Sequence, residues 1–359
     1  MKSTIILGDS FNNTLGLIRS LGEAGVQVIL ILVGNDRLFV SKSRYLSIVY
    51  RTPSLTEVSR LLKNLGEKYH DSFLICSNDK AAKWVDDNEQ WLSEIFITPM
   101  RGKHLGNLFE KSEQCKLADR HGIKVPKSVT YSRGLDLPNN LNYPILLKPA
   151  NSNTGEKSDI HICSTDNDMA TALNLESNCS TYIIQEYIDK EYEINMIGVS
   201  TDNGVVIPGG IKKIRHYPTI HSPCSYGIFI SADELRVDVE PIKRMIESIG
   251  YYGPFSVEFL RKDGLNYFME VNFRHDGLAY VATAAGVNLM KMYVEREPQP
   301  YALKPTFMMD LSTDYCHVKN SHISRNCWLK DFIRTGCQLN FNWKDPMPTI
   351  HYYISKFRK

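Results

Sequence analysis

The segment Tyr267-Phe268-Met269-Glu270-Val271-Asn272-Phe273-Arg274 sets a carboxylate, an amide and a guanidinium at alternate positions among apolar residues. Side chains alternate across a strand, so Glu270, Asn272 and Arg274 project from one face while Val271 and Phe273 turn to the core. Such a cluster is costly among apolar neighbours unless the site is wet or holds ions. Hard oxygen donors suit Mg²⁺, which takes one or two protein carboxylates together with substrate phosphates. Read alone, the same strand is equally a solvated face with a surface salt bridge. Phe255-Ser256-Val257-Glu258-Phe259-Leu260 precedes it across a turn at Lys262-Asp263-Gly264. A two-residue Asp263-Gly264 loop sets Glu258 opposite Met269. To bring Glu258 opposite Glu270 as a further ligand, the hairpin needs an odd-length loop or a bulge.

At 359 residues the chain is long enough for two or three folded units. Its 43% hydrophobic and 23% charged residues exclude a disordered, collagenous or disulfide-scaffold chain. Lys plus Arg is 42 against 40 Asp plus Glu, so no broad field exists for nucleic acid or an anionic membrane, and neither is expected as a partner. The longest apolar stretch, Val26 to Val33, is interrupted by Gln27 and is too short for a bilayer. Met1-Lys2-Ser3-Thr4 enters a strand pattern at once, so export is not expected and the location is read as cytoplasmic. Eight cysteines (Cys76, Cys115, Cys163, Cys179, Cys224, Cys316, Cys327, Cys337) form no CxxC pair and are read as mostly small buried hydrophobes.

Residues 1 to about 110 alternate strand and helix. Strands are expected at Thr4 to Leu7, Val26 to Val33 and Phe73 to Cys76, and helices at Thr14 to Ala24, Leu55 to Tyr69 and Lys80 to Asn88. That alternation implies a parallel sheet flanked by helices, with functional loops at the strand C-termini. Gly8-Asp9-Ser10-Phe11-Asn12-Asn13 occupies the first such turn but lacks GxGxxG, and no P-loop occurs anywhere. It is read as a turn that caps a helix and touches a small substrate.

From Lys111 the texture becomes mixed α+β. A helix at Ser112 to His121 is followed by strands at Tyr143 to Leu147, Ile160 to Cys163, Tyr182 to Tyr187, Glu193 to Val199, Val205 to Pro208, Phe255 to Leu260 and Leu265 to Phe273. Helices at Met169 to Leu175 and Val239 to Ile249 separate some of them. The tail after Pro300 reads as a partly helical extension. Lys148 emerges at a strand end before Pro149, and Lys111 precedes a helix. Asn151 to Ser158 is rich in small polar residues able to close over phosphates, although a plain hairpin loop has the same composition. The apolar strand Tyr182-Ile183-Ile184 turns polar at Gln185-Glu186 and continues through Tyr187-Ile188 to Glu193. A strand edge of this kind suits the edge of a purine, and a nearby carboxylate can accept both ribose hydroxyls.

The order of these pieces resembles the ATP-grasp superfamily over roughly residues 1 to 300. The matching motifs are Lys111 with its helix and Gly122-Ile123-Lys124-Val125-Pro126, Tyr143-Pro144-Ile145-Leu146-Leu147-Lys148-Pro149, Gln185-Glu186-Tyr187-Ile188 with Glu193, Glu258, Glu270-Val271-Asn272-Phe273-Arg274, and Ala284-Ala285-Gly286-Val287-Asn288-Leu289. The resemblance implies a pre-ATP-grasp parallel-sheet domain (1–110), a small ATP-grasp lobe (111–185), a large lobe with the metal site (186–297) and a C-terminal extension (298–359). It implies ATP and Mg²⁺, with Mn²⁺ as an alternative. Lys111 and Lys148 would then hold phosphates, with Ser152 in the loop above them. Gln185, Glu186, Tyr187 and Ile188 would form the adenine hinge, and Glu193 the ribose ligand. Glu258, Glu270 and Asn272 would be metal ligands. Arg274 would grip the acyl phosphate or substrate carboxylate, and Arg215 with Lys212 or Lys213 would contact phosphate.

Two departures from the family stand out. The loop at 151–158 has few glycines, and Thr219 to Cys224 replaces a glycine-containing stretch and is expected to shape the acceptor pocket. His216 and His221 are read as surface histidines in preference to bases. The activity implied is that of a carboxylate-amine ligase of the D-aspartate ligase and carbamoyl phosphate synthase-like branch. Its partners would be a small-molecule carboxylate and an amine such as an amino acid or peptide. Phosphorylation of bicarbonate or carbamate and a non-catalytic ATP-binding module are the alternatives. A single ATP-grasp unit argues against full carbamoyl phosphate synthesis. The sequence leaves the oligomeric state open, a homodimer included.

Overall fold

Thr4–Gly8 (β1) and Val28–Val33 (β2) are nearly unbroken apolar runs, as strands buried on both faces must be. They pair in parallel with each other. Leu46–Thr52 (β3) lies outside β2 and Phe73–Cys76 (β4) outside β1, giving the order β3-β2-β1-β4 with every pairing parallel. The parallel sheet is as expected, but β3 was not anticipated, because Ser47 and Arg51 interrupt its apolar character as an edge strand allows. The computed structural model describes residues 3–34, 38–138, 141–150, 160–174, 180–220 and 222–357. Ser152, the rest of the 151–158 loop and His221 lie outside the described residues.

The chain forms two compact units. Unit 1 comprises Met1–Gly106, Tyr192–Glu258 and Val271–Lys359, and unit 2 comprises Asn107–Glu191 and Phe259–Glu270. In unit 1 the helix Asn12–Glu23 returns from β1 to β2 with Leu15, Leu17, Ile18 and Leu21 buried. Gly22 sits against the Tyr45 ring, where a Cβ has no space. Because neighbours of β1 are reached in opposite chain directions, its C-terminal end beside that of β4 is the topological switch point of this sheet, where loops diverge and leave a crevice.

In unit 2, Ser128–Ser132 (β5), Ile145–Pro149 (β6), His161–Cys163 (β7) and Thr181–Glu186 (β8) form an antiparallel sheet in the order β5-β8-β6-β7. The register sets Leu146 opposite Gln185 and Lys148 opposite Ile183. Ile145, Leu147, Met169, Tyr182 and Ile184 build its core. The helix Lys111–Arg120 begins at the first of the two lysines.

The large sheet contains Tyr192–Thr201 (β9), Gly204–His216 (β10), Cys224–Ser231 (β11), Pro254–Lys262 (β12), Leu265–Asn272 (β13), Thr306–Met309 (β14) and Thr335–Gln338 (β15), in the order β13-β12-β9-β10-β11-β14-β15. Asp263 and Gly264 have φ of 50° and 77°, the two-residue turn that matches strand twist, so an odd-length loop is absent. The expected strand at Val205 to Pro208 is in fact thirteen residues long. Gly209 and Gly210 would ordinarily break such a pattern, but here they let the Ile230 and Asn195 carbonyls approach closely. The tail is partly helical, as expected, with helices Leu311–Lys319, Arg325–Arg334 and Met347–Phe357, and it also adds β14 and β15 to the sheet. One core runs through unit 1, from Ile6, Leu15 and Leu30 to Ile197, Phe229, Met308 and Leu339. Seven cysteines among the described residues are free thiols, and Cys76, Cys163, Cys224 and Cys337 of these are buried.

Candidate functional site

In unit 2 the strand β6 delivers Lys148 to its end. The ammonium donates to the Gln185 side-chain oxygen on β8, at 2.9 Å. Burial lowers the Lys148 pKa, and the nearby Lys111 ammonium lowers it further, against a smaller opposing effect of Glu270. Lys111 is itself ion-paired with Glu270. The Lys148 ammonium, bonded to a neutral amide while Lys111 is paired with Glu270, is a locus that favours an anion. The backbone N–H of Glu186 donates to the Lys127 carbonyl (2.8 Å), and its carboxylate accepts from the Lys127 N–H (3.2 Å). The Tyr187 N–H donates to the Pro144 carbonyl at 3.3 Å, while Ile188 is buried.

In unit 1 the two lysines of β10 part company. Lys212 is opposite Ile194 and lies over the Tyr192 ring at 4.1 Å. Lys213 turns inward and donates to Glu193 Oε2 at 2.8 Å and Glu258 Oε2 at 2.7 Å, with all three side chains under a fifth exposed. Burial alone would lower the Lys213 pKa, but Glu258 and Glu193 outweigh it and hold the ammonium well above its ordinary value. The register of β10 against β11 shifts between Lys213 and Arg215. A bulge re-aims side chains that a regular strand would put on one face. Arg215 accordingly donates to Asp314 (Nη2 to Oδ2, 2.8 Å) and Asp331 (Nη1 to Oδ2, 2.5 Å), with its guanidinium 4.0 Å from the Tyr226 ring centre. His216 Nδ1 lies 2.8 Å from the Ser222 carbonyl.

Arg274 follows β13 and gathers a polar network. It donates to Asp79 Oδ1 (2.8 Å), Asn272 Oδ1 (3.1 Å) and Asp276 Oδ2 (3.3 Å). Asn272 in turn donates to Ser256 Oγ (3.3 Å), and Ser256 and Asn195 both donate to Asp276 (3.2 and 3.0 Å). Burial pushes the Asp276 carboxyl up, but the Arg274 guanidinium and the Leu278 N–H more than offset it, leaving its pKa lowered. Asp276, Asn195 and Ser256 were not anticipated. An asparagine within the apolar run Ile194-Asn195-Met196 was the available signal, since a buried amide needs a partner.

At the switch point, Asn78 caps the helix Asp79–Asp87 through the Ala81 N–H (2.8 Å) and donates to Asp9 Oδ2 (3.0 Å). Burial raises the Asp9 pKa despite that bond. Asp9 and Ser10 follow the end of β1 and Asn12 opens the first helix, while Asp79, which opens the helix after β4, pairs with Arg274.

The profile of the ATP-grasp domain matches residues 116–285. The carbamoyl phosphate synthase large chain of Thermoanaerobacter pseudethanolicus is 26% identical over 211 residues, which is 54% of this chain and 20% of that protein. The formate-dependent phosphoribosylglycinamide formyltransferase of a Sulfurovum species is 26% identical over 142 residues, 38% of this chain and 36% of that protein. The chain thus spans well under two thirds of the curated relatives it matches. Among solved structures, N5-carboxyaminoimidazole synthetase from Staphylococcus aureus superposes with a TM-score of 0.70 at 16% identity, covering 89% of this chain and 86% of that one. An L-amino acid ligase from Bacillus licheniformis superposes with a TM-score of 0.61 at 16% identity, covering 85% of this chain and 75% of that one. The chain has the ATP-grasp fold, and its residues 116–285 match the ATP-grasp domain model.

Proposed function

We propose that this chain is an ATP-dependent carboxylate-amine ligase. ATP phosphorylates a small-molecule carboxylate, and an amine displaces phosphate from the acyl phosphate, releasing ADP and phosphate. The observation that carries this reading is the Lys148 ammonium at the end of β6, which donates to the neutral Gln185 amide at 2.9 Å and forms no ion pair among the described residues, so a phosphate suits it. Gln185 and the Glu186 to Ile188 backbone take the adenine, Glu193 the ribose, and Ser152 belongs to the phosphate loop.

The donor chemistry fits a divalent cation. Glu258 faces the Lys213 ammonium, Glu270 the Lys111 ammonium and Asn272 Oδ1 the Arg274 guanidinium, so each hard oxygen donor already holds positive charge. No group of three His, Cys, Asp or Glu converges among the described residues. Substrate phosphates would therefore complete the shell of Mg²⁺ or Mn²⁺, as they commonly do for Mg²⁺. Bound there, the cation supplies charge neutralisation for an anion approaching an anion.

The chain's own cations share that task. Arg274 is preorganised by Asp79 and Asp276 to bind the carboxylate or its acyl phosphate. Lys213 is placed to release one carboxylate to metal or ribose while keeping the other. Lys212 and Arg215 are weaker candidates. Arg215 must first part from Asp314 or Asp331, and Lys212 lies against an aromatic ring.

The test is phosphate release with ATP and Mg²⁺ against paired pools of amino acids and carboxylates. Release that requires both an amine and a carboxylate supports the ligase. Release with bicarbonate and ammonia points to the carbamoyl phosphate synthase-like reading, and ATP binding without turnover in any pool points to a binding module.

A further inference from the structure

The near balance of basic and acidic residues excludes a broad field over the whole chain, but it permits a local one. Residues 315–334 lie beyond the span that the ATP-grasp model matches, and carry Lys319, Arg325, Lys330 and Arg334 against a single acid, Asp331. That acid is buried and shared between Arg215 and Arg334, while the neighbouring Asp314 is buried against Arg215. These two acids and two arginines offset one another. Lys319, Arg325 and Lys330 are exposed and form no ion pair among the described residues.

The same surface carries apolar groups. On the helix Arg325–Arg334 only Asp331 is buried. Arg325, Leu329 and Ile333 recur at intervals of four and so form one stripe, with Lys330 beside Ile333 across one turn. Leu329 is 50% and Ile333 73% exposed. Next to that stripe Phe332 stacks on Trp328, with ring centres 5.4 Å apart, and Trp328 meets the Tyr315 ring edge-on at 5.2 Å. The Lys319 ammonium lies 5.8 Å from the centre of the Tyr315 ring. These contacts join the helices Leu311–Lys319 and Arg325–Arg334 into one apolar patch with a cationic rim.

Each feature narrows the partner. Exposed Leu and Ile have no counterpart on a nucleic-acid backbone, which is bound through its phosphates. A second copy would bring like charges together. A stable protein interface takes about 20–30 residues a side, more than this face supplies. A helix with cations along the borders of its apolar stripe is instead suited to a membrane interface, where the apolar side chains enter the acyl boundary and the cations meet anionic headgroups. We propose that the exposed face of the helix Arg325–Arg334, with Tyr315 and Lys319, docks on an anionic phospholipid surface. The docking does not rest on the function proposed above.

The test is sedimentation of the full chain with vesicles of phosphatidylcholine alone, or of phosphatidylcholine with about one third phosphatidylglycerol. The chain should partition onto the anionic vesicles at least about tenfold more strongly than onto the neutral ones, and about half-molar salt should release it. Ile333→Glu and Lys330→Glu should each weaken that partition by at least about fivefold, with an unchanged melting temperature because both side chains are exposed. Lys68→Glu makes the same change of net charge as Lys330→Glu on an exposed position of the helix Val58–Tyr69, and should leave the partition intact. No partition onto anionic vesicles, equal partition onto neutral ones, undiminished binding in Ile333→Glu or Lys330→Glu, or an equal loss in Lys68→Glu would each overturn the proposal. Retention on heparin without vesicle binding would overturn it as well, and would assign the cations to a soluble polyanion.

Discussion

Replacing Lys213 by Met removes the charge that joins two carboxylates while keeping much of the side-chain volume. Lys213 Nζ lies 2.8 Å from Glu193 and 2.7 Å from Glu258. At an effective dielectric near 20, each contact has a gross Coulomb energy of about 6 kcal/mol, mostly offset by desolvation of the three ions. The intact cluster therefore contributes little net stability, but its disruption is expensive, because Glu193 and Glu258 then face each other with 11% and 17% of their side chains exposed. Breaking a buried pair from one side costs roughly 3–5 kcal/mol. At about 2–4 °C per kcal/mol for a unit of this size, the melting temperature should fall by roughly 6–20 °C. Urea denaturation followed by circular dichroism, with calorimetry for the midpoint, measures both. Lys213→Arg should retain most of the stability, and the double variant Lys213→Met with Glu193→Gln should recover part of the loss, since one carboxylate no longer needs a partner. The Lys213 ammonium has its pKa raised in the fold, so its contribution is complete below about pH 10 and fades only as pH rises further. A loss under about 1 kcal/mol, the size of an exposed ion pair, would refute this account of the cluster.

If Glu270 is a metal ligand as proposed, Glu270→Gln should lower turnover by about a hundredfold or more in an ATP-coupled assay while leaving the melting temperature nearly unchanged, because it removes the ligand's charge at nearly constant volume. Near-normal activity would defeat the metal assignment. His275 is held at about 4 by burial, so the unfolded chain takes up its proton first as pH falls. Stability supplied by the neutral ring is complete above about pH 6.5 and should decline by about 3 kcal/mol towards pH 4, with a flatter profile in His275→Phe. Gly209→Ala presses a Cβ onto the Ile230 carbonyl within β10 and should destabilise the protein by about 1–3 kcal/mol in the same denaturation assay.

Period and composition carried much of this molecule. The apolar runs at Thr4 and Val28 and the amphipathic spacing after Asn12 dictate a parallel sheet with its first helix, because burial on two faces permits little else. The alternation from Tyr267 to Arg274 made the polar strand legible, and the ordered motifs from Lys111 to Leu289 made the family legible. Local pattern did not reveal β10 beyond Pro208, where glycines and charges mask a strand that closely approaching neighbours stabilise. Nor did it reveal β14 and β15, short strands of four residues each.

Side-chain partnership was settled only in three dimensions. Lys212 and Lys213 are indistinguishable by type, and their opposite faces of β10 together with the positions of Glu193 and Glu258 decided which one is buried among carboxylates. Arg215 met Asp314 and Asp331, acids about a hundred residues away in sequence. Asp310 came to border the first turn of the chain in the same way. A sequence fixes which residues must be buried, because that depends on each residue and its near neighbours. Which charges neutralise one another depends on distances between segments remote along the chain, and those exist only once the sheets have assembled.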